Sequence, residues 1–267
     1  MRARHMARER YFQSQVVEVR ELSELVRHVV LEREDGAALP YTAGQFIMIH
    51  FPDEHGVEIN RSYSMSEPPE ALPGRFGLCV KRVDGGRGSE LIHSLGEGDT
   101  IKTSGPYGRF VLKNAPPRDI VLVATGTGVA PYRAMIPELR ARIEAGHRIW
   151  LLFGVRTVDE LLYHDEWRDL ATQHPDGFLY RPVVSRPRPE ASWSGPVGYV
   201  SAFLDELDAA IAPDDAIAYL CGVPAMIDDM RAALLERGFT RRTVKTEKYA
   251  SPPPPGKKVA LPPGKAR

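Results

Sequence analysis

Cysteine, net charge and long apolar runs are what this sequence of 267 residues lacks. Its two cysteines, Cys79 and Cys221, cannot hold an iron–sulfur cluster, which takes about four thiolates. They are also too few for a disulfide framework. Thirty-five Lys and Arg balance 35 Asp and Glu. A formal charge of zero gives no whole-molecule attraction to nucleic acid or to an anionic membrane. No apolar run approaches the ~20 residues of a membrane span, and the Arg-rich stretch Met1 to Arg10 has no apolar core of a secretory signal. The expectation is a soluble protein in a reducing, cytoplasmic setting, with no nucleic-acid, membrane or metal partner.

What is present is a globular apolar share of 43% and 23 each of glycine and proline. Up to about Lys113 the chain runs in short strand-like segments: Gln15 to Arg20, Val26 to Leu31, Phe46 to Ile49, Phe76 to Val80 and Thr100 to Lys102. Turn signals such as Asp35-Gly36, Pro73-Gly74 and Asp84-Gly85-Gly86 separate them. That rhythm predicts an antiparallel barrel or sandwich, with one short helix over Gly88 to Leu95.

After the linker-like Asn114-Ala115-Pro116-Pro117-Arg118 the rhythm changes. Buried-type strands (Ile120 to Ala124, Ile149 to Phe153, Leu179 to Val184, Ala216 to Leu220, Val244 to Thr246) alternate with helical patterns over Pro131 to Ala145, Val158 to Gln173, Ala202 to Ile211 and Pro224 to Arg237. Alternation of this kind predicts a parallel sheet covered by helices on both faces. The expected organisation is a tail over 1–12, an antiparallel β domain over 13–115, an α/β domain over 116–250 and a Pro-rich tail over 251–267.

Four short motifs carry chemistry. Gly126-Thr127-Gly128-Val129-Ala130-Pro131 follows an apolar strand and opens a helix, a geometry in which backbone N–H groups and the positive helix end face an anion. The second strand of that half ends Phe153-Gly154-Val155-Arg156, without the acidic residue that an ordinary NAD dehydrogenase fold places there. The other three motifs are Arg61-Ser62-Tyr63-Ser64, Cys221-Gly222-Val223-Pro224-Ala225-Met226 and Glu247-Lys248-Tyr249. Cys221 ends a strand before a helix N-terminus, a position that favours some thiolate character.

In this order, from about Tyr11 to Tyr249, the motifs resemble those of the ferredoxin–NADP⁺ reductase superfamily. The resemblance implies an N-terminal β barrel that binds FAD and a C-terminal α/β domain that binds the nicotinamide. Arg61 would pair with the FAD pyrophosphate, with Ser62 beside it. Tyr63 would pack on the isoalloxazine and Ser64 would sit at its N5. Gly88 and Ser89 look like a second phosphate contact, and Gly105-Pro106-Tyr107-Gly108 resembles a structural turn at the barrel's end. Thr125, Gly126, Thr127 and Gly128 would hold the nucleotide pyrophosphate, while Cys221 and Gly222 would lie beside the nicotinamide. Glu247 would manage protons near the flavin, and Tyr249 would stack on it, although eighteen residues follow Tyr249 where plant-type relatives end. Ser185 and Arg186, with Arg188 as a second cation, resemble the group that holds a ribose 2′-phosphate, and Tyr199 the ring that stacks on adenine. Catalysis would thus rest on Ser64, Cys221 and Glu247.

The expected function is hydride transfer at FAD, moving electrons between NADPH, in preference to NADH, and a separate carrier. With no iron–sulfur ligands in the chain, ferredoxin or flavodoxin is the first expectation, and the protein is expected to be a monomer. Rival readings are the reductase component of an oxygenase, a non-catalytic flavin or nucleotide sensor, and a reductase that treats flavin as a loose substrate.

Overall fold

The computed structural model describes residues 11–71, 74–112, 119–189 and 192–249. The expected linker, residues 1–10 of the N-terminal tail and the whole tail over 251–267 lie outside them. Six strands form the first sheet: β1 (Phe12–Ser23), β2 (Val26–Arg33), β3 (Phe46–Pro52), β4 (Glu58–Ser64), β5 (Arg75–Lys81) and β6 (Thr100–Tyr107), in the order β4-β3-β6-β1-β2-β5. All five pairings are antiparallel. Strand β1 starts at Phe12, inside the expected tail.

The residues just past β4 close the sheet on itself. Met65 bridges Leu78 of β5, and the Ser66 N–H donates to the Gly77 carbonyl at 2.8 Å. Alternate residues point inward, as the two-residue period of a strand requires. Val16, Val29, Leu31, Ile47, Ile49, Phe76 and Leu78 fill the interior. Helix α1 (Arg87–Ser94) lies between β5 and β6.

The second sheet is parallel: β7 (Asp119–Thr125), β8 (Ile149–Val155), β9 (Phe178–Val184), β10 (Ala216–Gly222) and β11 (Val244–Lys248), in the order β11-β10-β7-β8-β9. Its three central strands, β7, β8 and β10, are buried on both faces, which is why they read as continuous apolar runs, while the edge strands β9 and β11 are partly exposed. Along β7, Ile120, Leu122 and Ala124 enter one core and Val121 and Val123 the other. The two-part architecture expected from the sequence is therefore present.

The helices are more broken than their periodicity suggests. The pattern over Pro131 to Ala145 divides into α2 (Ala130–Ala134) and α3 (Ile136–Glu144). Pro137 has no N–H to give to the preceding turn, so a continuous helix cannot form there. The pattern over Val158 to Gln173 becomes a 3₁₀ turn at Val158–Glu160 and α4 (His164–Gln173), parted by Tyr163 at φ 56°. The next, expected over Ala202 to Ile211, becomes a 3₁₀ turn at Val200–Phe203 and α5 (Leu204–Ala210). Helix α6 (Pro224–Glu236) keeps its expected punctuation, with Pro224 in its first turn. At its end Phe239 N–H reaches the Leu234 carbonyl (3.0 Å) and Gly238 N–H the Leu235 carbonyl (3.2 Å), a Schellman closure around a left-handed glycine.

The two sheets share a core. Val26, Ala43, Cys79, Phe110 and Leu112 from the first half pack in one apolar cluster with Leu122, Tyr132, Met135, Tyr219 and Cys221 from the second. With β10 pairing β7 and β11, and Ser64 of β4 bonded to Glu247 of β11, the ends of β4, β7, β10 and β11 come together beside this cluster.

Candidate active site

Strand order reverses between β7 and β10, since β7 leads outward through β8 to β9 while β10 leads to β11 on the other side. In an open parallel sheet, ligands bind beyond the C-terminal ends of the strands at such a switch. Here those ends are Thr125 and Gly222. From Thr125 the chain turns through a 3₁₀ segment, Gly126–Val129, into α2, with no side chain capping either turn. Their first N–H groups therefore have no side-chain acceptor, the condition that suits an anion.

The two strand ends are fastened tightly. The Val223 N–H donates to Thr125 Oγ1 at 3.1 Å. A Cβ at Gly128 would fall 2.3 Å from the Cys221 carbonyl oxygen and 2.9 Å from the Gly222 Cα. A Cβ at Gly222 would fall 2.2 Å from Thr125 Oγ1. Only glycine lets these backbones approach.

Beside that junction, four side chains from both sheets converge. Cys221 and Glu247 are register partners on β10 and β11, and the Tyr249 N–H donates to the Gly222 carbonyl at 2.9 Å. Ser64, at the end of β4 and buried, donates its hydroxyl to Glu247 Oε1 at 2.7 Å. The Tyr249 side chain packs, partly buried, against the apolar cluster that contains Cys221. The structure thus brings together Ser64, Cys221, Glu247 and Tyr249, which come from three of the four sequence motifs.

Their environment favours neutral forms. Burial pushes the Glu247 carboxyl above its ordinary range, and the Ser64 hydrogen bond only partly opposes this. Burial, with the nearby Glu247, raises the Cys221 thiol well above its usual value. Burial thus runs against the thiolate character expected from the helix end, raising the Cys221 thiol where a helix N-terminus alone would lower it. Burial raises the Tyr249 phenol too.

On the barrel side, Arg61 and Ser62 are exposed on β4 and Tyr63 is half-buried. Helix α1 begins against them. A Cβ at Gly88 would lie 2.7 Å from both Arg61 Cγ and Tyr63 Oη, so the helix start rests on the Arg61-Tyr63 pair. The N-cap is Gly86, with no side-chain cap. Ser89 sits in the first turn, where its hydroxyl donates to the Gly86 carbonyl at 2.8 Å and accepts from Val83 N–H at 3.1 Å. The Ser89 hydroxyl is thus committed to the loop before the helix. The Arg61 stem lies against this uncapped helix start, on a floor that only glycine permits, and its exposed guanidinium donates to the Asn60 carbonyl at 2.7 Å. An exposed guanidinium and a helix start are groups that suit the diphosphate of a flavin dinucleotide.

At the far end of the crevice, Ser185 and Arg186 follow β9. The Ser185 N–H donates to the Val155 carbonyl (2.9 Å) and the Arg186 N–H to the Arg156 carbonyl (2.8 Å). Arg156 thereby stands beside Arg186, and Arg156, Arg186 and Arg188 are all exposed. The sequence reading used Arg156 only as the absence of an acid and missed it as a cation, although its place at the end of the second strand was the available signal. The stretch after Arg186 is brought back by a parallel bridge between Val184 and Val197. Tyr199 thus returns beside the end of β9 with its ring 71% exposed, free to stack on a planar group.

The chain is similar in sequence and fold to known proteins. Residues 13–112 match the family model described as an oxidoreductase FAD-binding domain, and 122–232 that described as an oxidoreductase NAD-binding domain. A ferredoxin–NADP reductase B of Sorangium cellulosum is 40% identical over 245 residues, covering 89% of this chain and 97% of that protein. The phenol hydroxylase P5 protein of Acinetobacter pittii is 30% identical over 244 residues, 90% of this chain but 66% of that protein, so this chain spans slightly under two thirds of its length. Among solved structures, a cytochrome P450 reductase of Amycolatopsis superposes with a TM-score of 0.76 at 26% identity, covering 90% of this chain and 69% of that one.

Proposed function

The chain belongs to the ferredoxin–NADP⁺ reductase family of FAD- and NAD(P)H-dependent oxidoreductases, and on that premise we propose that it moves electrons between NADPH and a separate one-electron carrier. The observation that carries this reading is the meeting of Ser64, Cys221, Glu247 and Tyr249 at the switch point of the parallel sheet. When bound, FAD supplies the chemistry that accepts a hydride from the nicotinamide and releases electrons one at a time.

The protein's own groups then have distinct tasks. Arg61 and the start of α1 at Gly88-Ser89 hold the flavin's diphosphate, with Ser62 alongside and Tyr63 packed on its ring. Thr125 and the Gly126-Thr127-Gly128 turn hold the nucleotide's diphosphate. Ser64 presents a hydroxyl whose orientation is set by Glu247, and Glu247, whose carboxyl burial raises above its ordinary range, would exchange a proton with the site through Ser64. Cys221 and Gly222 shape a dry, close-packed wall for the nicotinamide. Tyr249, packed against the cluster that contains Cys221, would stack on the flavin and yield its place to an incoming nicotinamide.

Exposed Arg156, Arg186 and Arg188 beside Ser185 support NADPH over NADH, because a 2′-phosphate takes charged donors where a 2′-hydroxyl does not. A ferredoxin or flavodoxin is the proposed carrier, as the reductase from Sorangium cellulosum suggests. The likeness to a phenol hydroxylase component favours an oxygenase as the second reading. A pure sensor has no use for the bonded Ser64–Glu247 pair.

Single-turnover reduction of the holoprotein by NADPH tests the proposal. Ser64→Ala and Glu247→Ala should each slow flavin bleaching roughly 10²-fold, the range of a lost proton-handling group, while FAD stays bound. Unchanged rates in both variants would remove these residues from the reaction.

A further inference from the structure

A second set of buried polar groups joins the two halves of the molecule away from the four residues above. Arg133 stands on α2, five positions after Gly128. Its guanidinium crosses to the seam of the barrel, where Nη1 lies 2.7 Å from Glu67 Oε1 and donates to the Ser66 carbonyl at 3.1 Å. Its Nε donates to Glu166 Oε2 at 2.8 Å, and its plane lies 4.6 Å from the centre of the Tyr163 ring. The side chains of Arg133 and Glu67 are only 12% and 7% exposed.

Glu67 is gripped from its own side as well. His28 Nε2 approaches Oε1 at 3.0 Å, Arg20 Nη2 lies at 3.6 Å, and the Tyr41 hydroxyl donates to the Glu67 carbonyl at 2.8 Å. The circuit closes on the α/β side, because His28 Nδ1 lies 2.8 Å from the Tyr163 hydroxyl. Tyr163 is the one described non-glycine residue with positive φ, at 56°. A bulky residue holds that conformation only where its surroundings fix it.

The chain positions make this network more than an interface contact. Ser66 and Glu67 follow Ser64 by two and three residues, and the Met65–Leu78 bridge stiffens that short link. Arg133 sits on the helix into which the Gly126–Val129 turn runs directly. One guanidinium therefore connects the strand end carrying Ser64 to the turn assigned to the nucleotide.

We propose that Arg133 and Glu67 are positioning residues that fix the register between the flavin-side and nucleotide-side halves of the site, so that hydride transfer depends on them although neither touches the four converging side chains. This rests on the hydride-transfer reading above. A lysine cannot replace Arg133, because only a planar fork reaches the Glu67 carboxylate, the Ser66 carbonyl and Glu166 while stacking on Tyr163.

The test uses the full-length holoprotein with spin labels at Val57→Cys and Asp205→Cys, one exposed position in each half. Arg133→Lys and Glu67→Gln are compared with wild type and with Arg148→Gln, which breaks an ion pair to Asp119 within the α/β half alone. Arg133→Lys keeps the charge and loses the planar fork, whereas Glu67→Gln keeps the side chain's shape and removes its charge. The expected result is a broadened inter-label distance distribution and flavin reduction slowed roughly tenfold or more. The dissociation constant for NADP⁺ should stay within about threefold, the signature of lost positioning rather than lost binding. Arg148→Gln should change neither distance nor rate. A wild-type distance distribution, a wild-type reduction rate, or equal slowing in Arg148→Gln would each overturn the proposal. A wild-type flavin that neither NADPH nor NADH reduces would sink the site reading and the positioning role with it, whereas the distances report on the Arg133 connection by themselves.

Discussion

Gly128→Ala is the substitution whose effect the structure fixes most closely. The added methyl would sit 2.3 Å from the Cys221 carbonyl oxygen and 2.9 Å from the Gly222 Cα, where ordinary contact begins at 3.4 Å. Both obstacles are backbone, so no side-chain rotation relieves them. The turn and the end of β10 must part by about 1 Å, since repulsion rises steeply inside contact distance. A displacement of that size at a reacting geometry costs roughly 10²-fold in rate, or about 2.7 kcal/mol of barrier. The clash lies wholly in the α/β half, so FAD content should stay normal. Gly126→Ala is the contrast. Gly126 has φ +52° and nothing within 4 Å of an added Cβ. Within the protein its cost is the left-handed backbone, about 1–2 kcal/mol of stability, and because Gly126 belongs to the turn that holds the diphosphate, its functional loss should fall on NADPH affinity rather than on the reduction rate at saturating NADPH. Anaerobic stopped-flow reduction by NADPH reads the rates, and the flavin-to-protein absorbance ratio reads FAD content. A Gly128→Ala protein reduced at the wild-type rate would refute the argument, as would one that had lost its FAD.

Other outcomes follow from the electrostatics. Burial alone would raise the Glu67 carboxyl, but His28 and Arg133 outweigh it and hold it below 4.5. Its contribution to stability is therefore complete above pH 4.5 and vanishes as pH falls through the lower folded value. Wild type should melt higher than Glu67→Gln at neutral pH, by about 3–5 kcal/mol for a broken buried pair, and the two melting curves should converge in acid. The opposite sign applies to Glu247, whose raised value means the folded state binds the extra proton and loses stability as pH rises above 4.5. Glu247→Gln should accordingly raise the melting temperature at pH 8 while slowing flavin reduction. Both thiols are buried, with Cys79 pushed up to about 12 and Cys221 raised well above its usual value. A disulfide thiol reagent at pH 7 should find no fast-reacting cysteine in the native protein and two after unfolding.

The parallel sheet was easy to read because strands buried on both faces leave nothing but apolar residues in the chain, as in Ile120 to Ala124. Strand β4 was harder: Glu58, Asn60, Arg61 and Ser62 are exposed, so only Ile59 and Tyr63 carry an apolar signal. The helix breaks at Met135 and Tyr163 were hidden because apolar spacing continues across them while the backbone does not. The residues meeting around Ser64 were legible from motif order, since each ends a strand and strand ends gather at a switch point. The state of Cys221 was not legible, because a helix start argues for a thiolate and only the packed core argues against it. Nor was the Arg133–Glu67 pair, whose partners are 66 positions apart and belong to no motif. Arg156 lay in plain view, yet its meaning depends on the β8–β9 pairing that sets it beside Arg186.

The most direct test of the central claim is anaerobic reduction of the purified protein followed through its visible spectrum. The protein should be yellow, and equal additions of NADPH and NADH should both bleach it, NADPH much the faster, with the difference lost in Arg186→Ala. A colourless protein, or a bound flavin that neither nucleotide reduces, would contradict the reading of Ser64, Cys221 and Glu247 as a hydride-transfer site.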